Sequence, residues 1–146
     1  MDRDVLVSKM KVILATSFSF YLKAHNYHWN VTGPNFAQYH EFLGDLYEEV
    51  WNSLDLTAEE IRKLDSYAPG SLSRYSELSH IEDELNVPTS DMMFKRLGSD
   101  NDKLLTLLYG ARKTAEEIDA AGTLDYLESR IGAHEKHRWM LKSIVT

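Results

Sequence analysis

The chain reads as all-α: a bundle of four long helices with one long connection between the second and the third. Three observations predict this. Apolar residues recur at helical spacing through four separate stretches. The three prolines (Pro34, Pro69 and Pro88) fall between those stretches, and glycine is sparse at seven in 146 residues. No strand-like alternation of apolar and polar residues occurs. The length suits a single domain over residues 1–146 with a sizeable core.

The first stretch, from about Asp4 to Asn30, carries Leu6, Met10, Ile13, Leu14, Phe18, Tyr21 and Leu22 on one side. Val31-Thr32-Gly33-Pro34 ends it, and Asn35 with Gln38 three positions later predicts an N-cap for the second helix. That helix runs through Leu43, Leu46, Val50, Leu54 and Ile61 to about Leu64. Tyr67 to Pro88 is loop-rich, with one or two helical turns expected over Ser71–Leu78. Thr89 or Ser90 opens the third long helix, which continues to about Ala120 and is weakened by Gly98-Ser99. Gly122 is the expected C-cap and Thr123 the expected N-cap of the last helix, Leu124 to about Val145. Four long helices with a long second connection describe a ferritin-like bundle, a class that hosts histidine and carboxylate metal sites.

Composition excludes several chemistries. With no cysteine, disulfide scaffolds, thiolate metal sites and cysteine nucleophiles are ruled out. No basic stretch precedes an apolar one at the start, and no uninterrupted apolar run reaches the ~18 residues of a membrane span, so a cytoplasmic, membrane-free protein is expected. The formal net charge of −7 opposes loose binding to a phosphate backbone.

The chemistry concentrates between His28 and Glu59. His28, His40, Asp55 and Glu59 mix imidazole nitrogen with carboxylate oxygen, a set suited to Fe(II), Zn or Mn more than to Ca or Mg. Their spacing is unusual. His40 and Asp55 fall on nearly the same face of one helix, yet fifteen residues at about 1.5 Å each put them roughly 22 Å apart. Either these residues do not form one site, or a second copy lies antiparallel and supplies the missing half, as a twofold dimer does. The intrachain di-iron alternative requires Glu-x-x-His pairs on two bundle helices. The bundle helices here carry none.

The segments His25-Asn26-Tyr27-His28-Trp29-Asn30-Val31, Gly33-Pro34-Asn35-Phe36 and His40-Glu41 resemble the signature of the Dps family, the miniferritins. Asp55 with Glu59, Pro69-Gly70-Ser71-Leu72, His134-Glu135-Lys136-His137 and Trp139-Met140-Leu141 extend the likeness over nearly the whole chain. The resemblance implies a four-helix subunit with a short extra helix in the long connection. It also implies a hollow homododecamer with a ferroxidase centre at each twofold interface. There His28 and His40 would face Asp55 and Glu59 of the partner subunit. Glu59 and His28 would hold the tighter iron, and Asp55 and His40 the weaker. Trp29 would stand beside the centre and take up oxidising equivalents. The implied activity is oxidation of Fe(II), preferably by hydrogen peroxide, with storage of ferric mineral and protection against oxidative damage.

One position departs from the family pattern. Gly44 stands where an aspartate usually follows the second histidine by four residues, and Asp45 is rotated about 100° away. A weakened ferroxidase with a loosely held second iron is therefore expected, and Tyr47 and Trp51 are expected to crowd the His40 face. Two alternatives follow: a non-enzymatic DNA-coating shell with a degenerate centre, or a shell that binds zinc or manganese.

Other features read more plainly. His134 and His137 are spaced i,i+3 rather than the i,i+4 of a metalloprotease motif, and are expected to be structural or surface residues. His25 is expected to pack rather than to share the metal. Glu116, Glu117, Asp119 and Asp125 could line cation-admitting pores, and some of Glu41, Glu48 and Glu49 could face a mineral cavity. DNA binding is expected to be weak or absent, because the short N-terminal segment is no more basic than acidic before Ser8.

Overall fold

A computed structural model describes residues 2–146 as five helices with no strand among them. The helices are α1 (Asp2–Asn30), α2 (Phe36–Lys63), α3 (Leu72–Leu78), α4 (Ser90–Glu117) and α5 (Ala121–Val145). α1 packs on α2, α4 packs on α5, and α1 also lies against α4, which closes the four-helix bundle. α3 sits on α1 within the long connection, where Phe18 and Tyr75 meet with ring centroids 4.8 Å apart. Among the described residues, α1 is the one helix long and apolar enough to suit a membrane crossing. Its Leu6, Met10, Ile13, Leu14 and Phe20 are instead buried within the bundle, which accounts for its apolar character.

Caps decide where the helices begin and end. Thr89 caps α4 as expected, its hydroxyl accepting from the Met92 N–H at 3.3 Å. Asn35 occupies the cap position of α2 but makes no side-chain capping bond. The expected α4–α5 boundary is corrected. α4 ends at Glu117, Asp119 takes the left-handed conformation (φ 55°), and α5 already begins at Ala121. The Ala120 N–H reaches the Ala115 carbonyl and the Asp119 N–H the Glu116 carbonyl, a Schellman end with aspartate in the place glycine usually holds. The C-terminus of α2 repeats this design, with Asp65 at φ 65°. Gly122 is therefore no cap. Thr123 lies inside α5 and donates to Glu60 at 3.1 Å.

The core divides into two apolar clusters along the bundle. One gathers Met10, Leu14, Ile61, Leu108, Leu127 and Ile131; the other gathers Phe20, Tyr27, Leu43, Val50, Phe94 and Leu141. Each of the four long helices also buries polar residues near its middle: Thr16 and Ser17, Ser53 and Thr57, Asp100 and Asn101, Arg130 and His134. Asn101, Arg130 and His134 hydrogen-bond to one another, and this buried polar set forms the waist of the bundle.

Candidate metal centre

The turn at residues 31–35 folds α2 back along α1, with Gly33 at φ 118° supplying a conformation that other residues rarely adopt. This brings His28, in the last turn of α1, against His40, in the second turn of α2. Each ring donates Nδ1–H to the other's backbone carbonyl, at 2.6 Å from His28 and 2.7 Å from His40. The rings stack with centroids 3.8 Å apart and planes 17° apart, and Phe36 stacks on His40 at 5.1 Å. A carbonyl can only accept, so the proton is fixed on Nδ1 of both rings. In the neutral imidazoles Nε2 is then the lone-pair nitrogen, the form that binds metal. Among the described residues neither Nε2 has a hydrogen-bond partner. The His40–His28 bond also satisfies one of the carbonyls that the end of α1 leaves open.

Aromatic rings flank this pair on α1 and α2. His25 lies between Tyr47, stacked at 3.8 Å, and Trp29 at 4.0 Å, with the Tyr21 hydroxyl 2.9 Å from its Nδ1. Burial, reinforced by neighbouring His28, lowers the pKa of His25. Tyr21 in turn packs on Trp51 at 4.8 Å. Tyr47 thus covers His25 and lies 5.2 Å from His28, Trp51 covers Tyr21, and the rings stacked on His40 itself are those of His28 and Phe36; the expected aromatic crowding falls on His25, His28 and Tyr21 rather than on His40. Trp29, about three-fifths exposed, touches His25 and stands one ring away from His28.

Asp55 and Glu59 lie farther along α2. Both are exposed, and neither has an ion-pair or hydrogen-bonding partner among the described residues. Asp55 borders an open groove of about 640 Å³ between α1, α2 and α3, lined mainly by Leu14, Phe18, Trp51 and Tyr75. One chain thus brings His28 to His40, and leaves Asp55 and Glu59 apart from them. Among the described residues no three His, Asp or Glu side chains converge as a metal-holding group.

The second histidine pair is of a different kind. His134 is fully buried in the waist: its Nδ1–H donates to Asn101 Oδ1 at 2.7 Å, and its Nε2 accepts from Arg130 at 3.1 Å. The Asn101 amide returns a bond to the His134 carbonyl at 2.9 Å. Arg130 forks onto both oxygens of Glu49, and His137 donates to the same carboxylate at 2.7 Å. Burial, and the adjacent positive Arg130, hold His134 well below the ordinary histidine range. Burial alone would raise the Glu49 carboxyl. The hydrogen bonds from His137 and Arg130, with Arg130's charge, reverse that and hold it far below the usual carboxylate range.

Sequence reasoning left this network unseen. Its signal was present, because Leu127, Arg130, His134, His137 and Leu141 form one helical stripe with an apolar residue at each end. Glu49 is committed to this network, whereas Glu41 and Glu48 stay exposed on α2 and Glu116, Glu117, Asp119 and Asp125 stay exposed around the α4–α5 turn.

Known proteins match this chain along nearly its full length. A ferritin-like domain family model matches residues 8–146. A DNA protection during starvation protein from Brevibacillus brevis is 33% identical over 125 residues, covering 86% of this chain and 84% of that protein. DNA protection during starvation protein 2 from Bacillus anthracis is 30% identical over 145 residues, 99% of each. The crystal structure of a Dps protein from Bacillus brevis superposes with a TM-score of 0.95 at 29% identity, over 99% of this chain and 97% of that one. A bundle with its short helix on α1, a histidine pair at the α1–α2 turn and full-length matches of this quality have one meaning: the chain belongs to the Dps family of ferritin-like proteins.

Proposed function

We propose that the chain forms an iron-storing shell that oxidises Fe(II) at centres shared between two copies. In this reading His28 and His40 of one copy meet Asp55 and Glu59 of the partner subunit across a twofold axis. The observation that carries it is the pairing of incomplete halves. Two imidazoles offer free Nε2 atoms at one end of α2, and two unpaired carboxylates stand about 22 Å along the same helix. An antiparallel copy brings each half to the other. The exposed Trp29, Trp51 and Leu72, at 59%, 52% and 73%, give such a copy an apolar face to cover. Family membership favours a closed homododecamer.

Iron is the substrate. Two Fe(II) each lose one electron, and hydrogen peroxide accepts both with two protons to give two waters, so no one-electron hydroxyl radical is released. The protein's part is to hold the ions close together while leaving room for the oxidant. His28 and His40 supply nitrogen, and the partner's Asp55 and Glu59 supply oxygen and negative charge. Two carboxylates balance one divalent ion, so one iron binds tightly and the second only weakly. Trp29, reaching the pair through His25, is placed to give up an electron if an oxidising equivalent escapes. The nitrogen and oxygen set also accepts zinc or manganese, and availability decides which metal the shell carries in the cell.

The test is anaerobic Fe(II) titration of the purified shell, followed by peroxide and near-UV absorbance. Ferric absorbance should rise far faster than in a protein-free control, and the gain should vanish in His28→Ala/Glu59→Ala. A trace matching the control removes the oxidising function and leaves a binding or coating shell. DNA binding should be weak: twelve copies at −7 each carry about −84 formal charges, a field that repels a phosphate backbone. A gel shift at sub-micromolar shell and physiological salt would reverse that expectation.

A further inference from the structure

We infer that Gly44 is the positioning residue of the histidine half-site, because its missing side chain is the space in which the His28 ring is held. The inference rests on the shared-centre reading above and adds what sets the geometry of its nitrogen half. Glycine is a poor residue for a helix interior, and Gly44 lies well inside α2. A Cβ placed on it would stand 3.1 Å from His28 Cε1 and 3.3 Å from His28 Nδ1. That is tighter than ordinary van der Waals contact, so the ring would have to yield.

It has little freedom to do so. Its Nδ1 is bound to the His40 carbonyl at 2.6 Å, and its face lies on His40 with centroids 3.8 Å apart. Moving away from residue 44 lengthens the hydrogen bond or opens the stack. Either change releases the constraint that keeps the proton on Nδ1 and the lone pair on Nε2. Gly44 therefore does more than omit a ligand. It lets the half-site be two mutually locked imidazoles that take a borderline divalent transition-metal cation through nitrogen, with every carboxylate left to the second copy.

Gly44→Ala tests this with one methyl group and no new charge or ligand, and alanine improves the local helix, so folding is not at risk. Co(II) is the probe, titrated into the assembled shell and followed by its visible absorption, beside crystal structures of both metal-free shells. We expect the His28 ring to be displaced from residue 44 by a few tenths of an ångström in the variant, lengthening its Nδ1 bond to the His40 carbonyl or opening the stack on His40. Co(II) affinity should fall at least tenfold. In a His28→Ala background, adding Gly44→Ala should change Co(II) affinity no further, which a general structural effect would not produce. An unmoved His28, an unchanged affinity, or an additive loss in the double variant would each overturn the inference. A wild-type shell that takes up no Co(II), or whose uptake survives Asp55→Asn/Glu59→Gln, overturns the shared-centre reading itself. That result appears before any substitution at residue 44, so the two failures are distinct.

Discussion

The molecule holds two histidine pairs, and they differ in what their second nitrogens do. At the waist, His134 spends both nitrogens inside the chain, one on Asn101 and one on Arg130, while His137 spends Nε2 on Glu49. At the α1–α2 turn, His28 and His40 spend only Nδ1, each on the other's backbone, and keep Nε2 free. His134 is finished as structure, and His137 is anchored through Nε2 to a carboxylate of the same chain. The second pair is oriented as firmly yet left chemically incomplete. Residue type does not separate a ligand from a structural histidine here; the state of the second nitrogen does, because a nitrogen already hydrogen-bonded in a buried network cannot bind metal without breaking it.

Substitution should pull the two pairs apart. The largest loss of stability belongs to the waist. Glu49→Ala leaves Arg130, whose side chain is only 10% exposed, as a nearly buried charge without its carboxylate, and Glu49's own partial exposure moderates the effect. A loss of about 2–3 kcal/mol in chemical denaturation is expected, with Co(II) binding unchanged. His28→Ala should invert that pattern. Its Co(II) affinity should fall about 100-fold, close to 2.7 kcal/mol, while stability changes by about 1 kcal/mol or less. Equal losses of binding and stability in both variants would dissolve the distinction.

Acid sharpens it next. Burial depresses the His134 pKa, so the folded chain keeps the ring neutral where the unfolded chain, near the ordinary 6.5, takes up a proton. Its contribution is therefore complete above 6.5 and is lost as pH falls below that value. The expected slope is about 1.4 kcal/mol per pH unit from this one ring. Asn101, Arg130, His137 and Glu49 are the polar groups around it, and Phe20 meets its edge at 5.9 Å. Glu49 has the carboxylate sign: its stabilisation is full above its ordinary 4.5 and lost as pH falls through its depressed folded value. Denaturant midpoints of the wild type should thus decline from pH 6.5 to 5 before carboxylates contribute. His134→Gln should start lower and decline less steeply over that window, the remaining slope coming from His25, whose pKa is also lowered. A wild type no steeper than the variant would remove the buried neutral ring from the account.

Much of the fold was legible because apolar spacing and prolines mark it directly. The four long helices, the short helix over 72–78 and the Thr89 cap follow from periodicity and turn chemistry. The α4–α5 boundary misled because glycine was expected in the left-handed position, whereas Asp119 occupies it, as Asp65 does after α2. The contact between His28 and His40 was legible from their places on either side of a tight turn. The waist was not, since Glu49 and Arg130 are 81 residues apart and no local pattern announces their pairing. Gly44 was legible only as a missing carboxylate. That it gives His28 its place depends on a contact between two helices.

The smallest effect isolates that contact from helix propensity. Gly98 and Gly44 both sit inside long helices, but a Cβ on Gly98 meets nothing within 4 Å, whereas one on Gly44 meets the His28 ring at 3.1 Å. If interior glycine costs stability only through backbone freedom, both changes to alanine should gain about 0.5–1 kcal/mol. Gly98→Ala should show that gain in denaturant midpoint, because nothing opposes it within the chain. Gly44→Ala should show less or none, because the ring it displaces gives up a hydrogen bond and a stacked face. The difference between the two midpoints measures what holding His28 in place is worth. Equal gains would mean that the ring moves freely and that the imidazole pair is not locked. A smaller gain at residue 44 ties the geometry of the nitrogen half-site to the absence of one methyl group on α2.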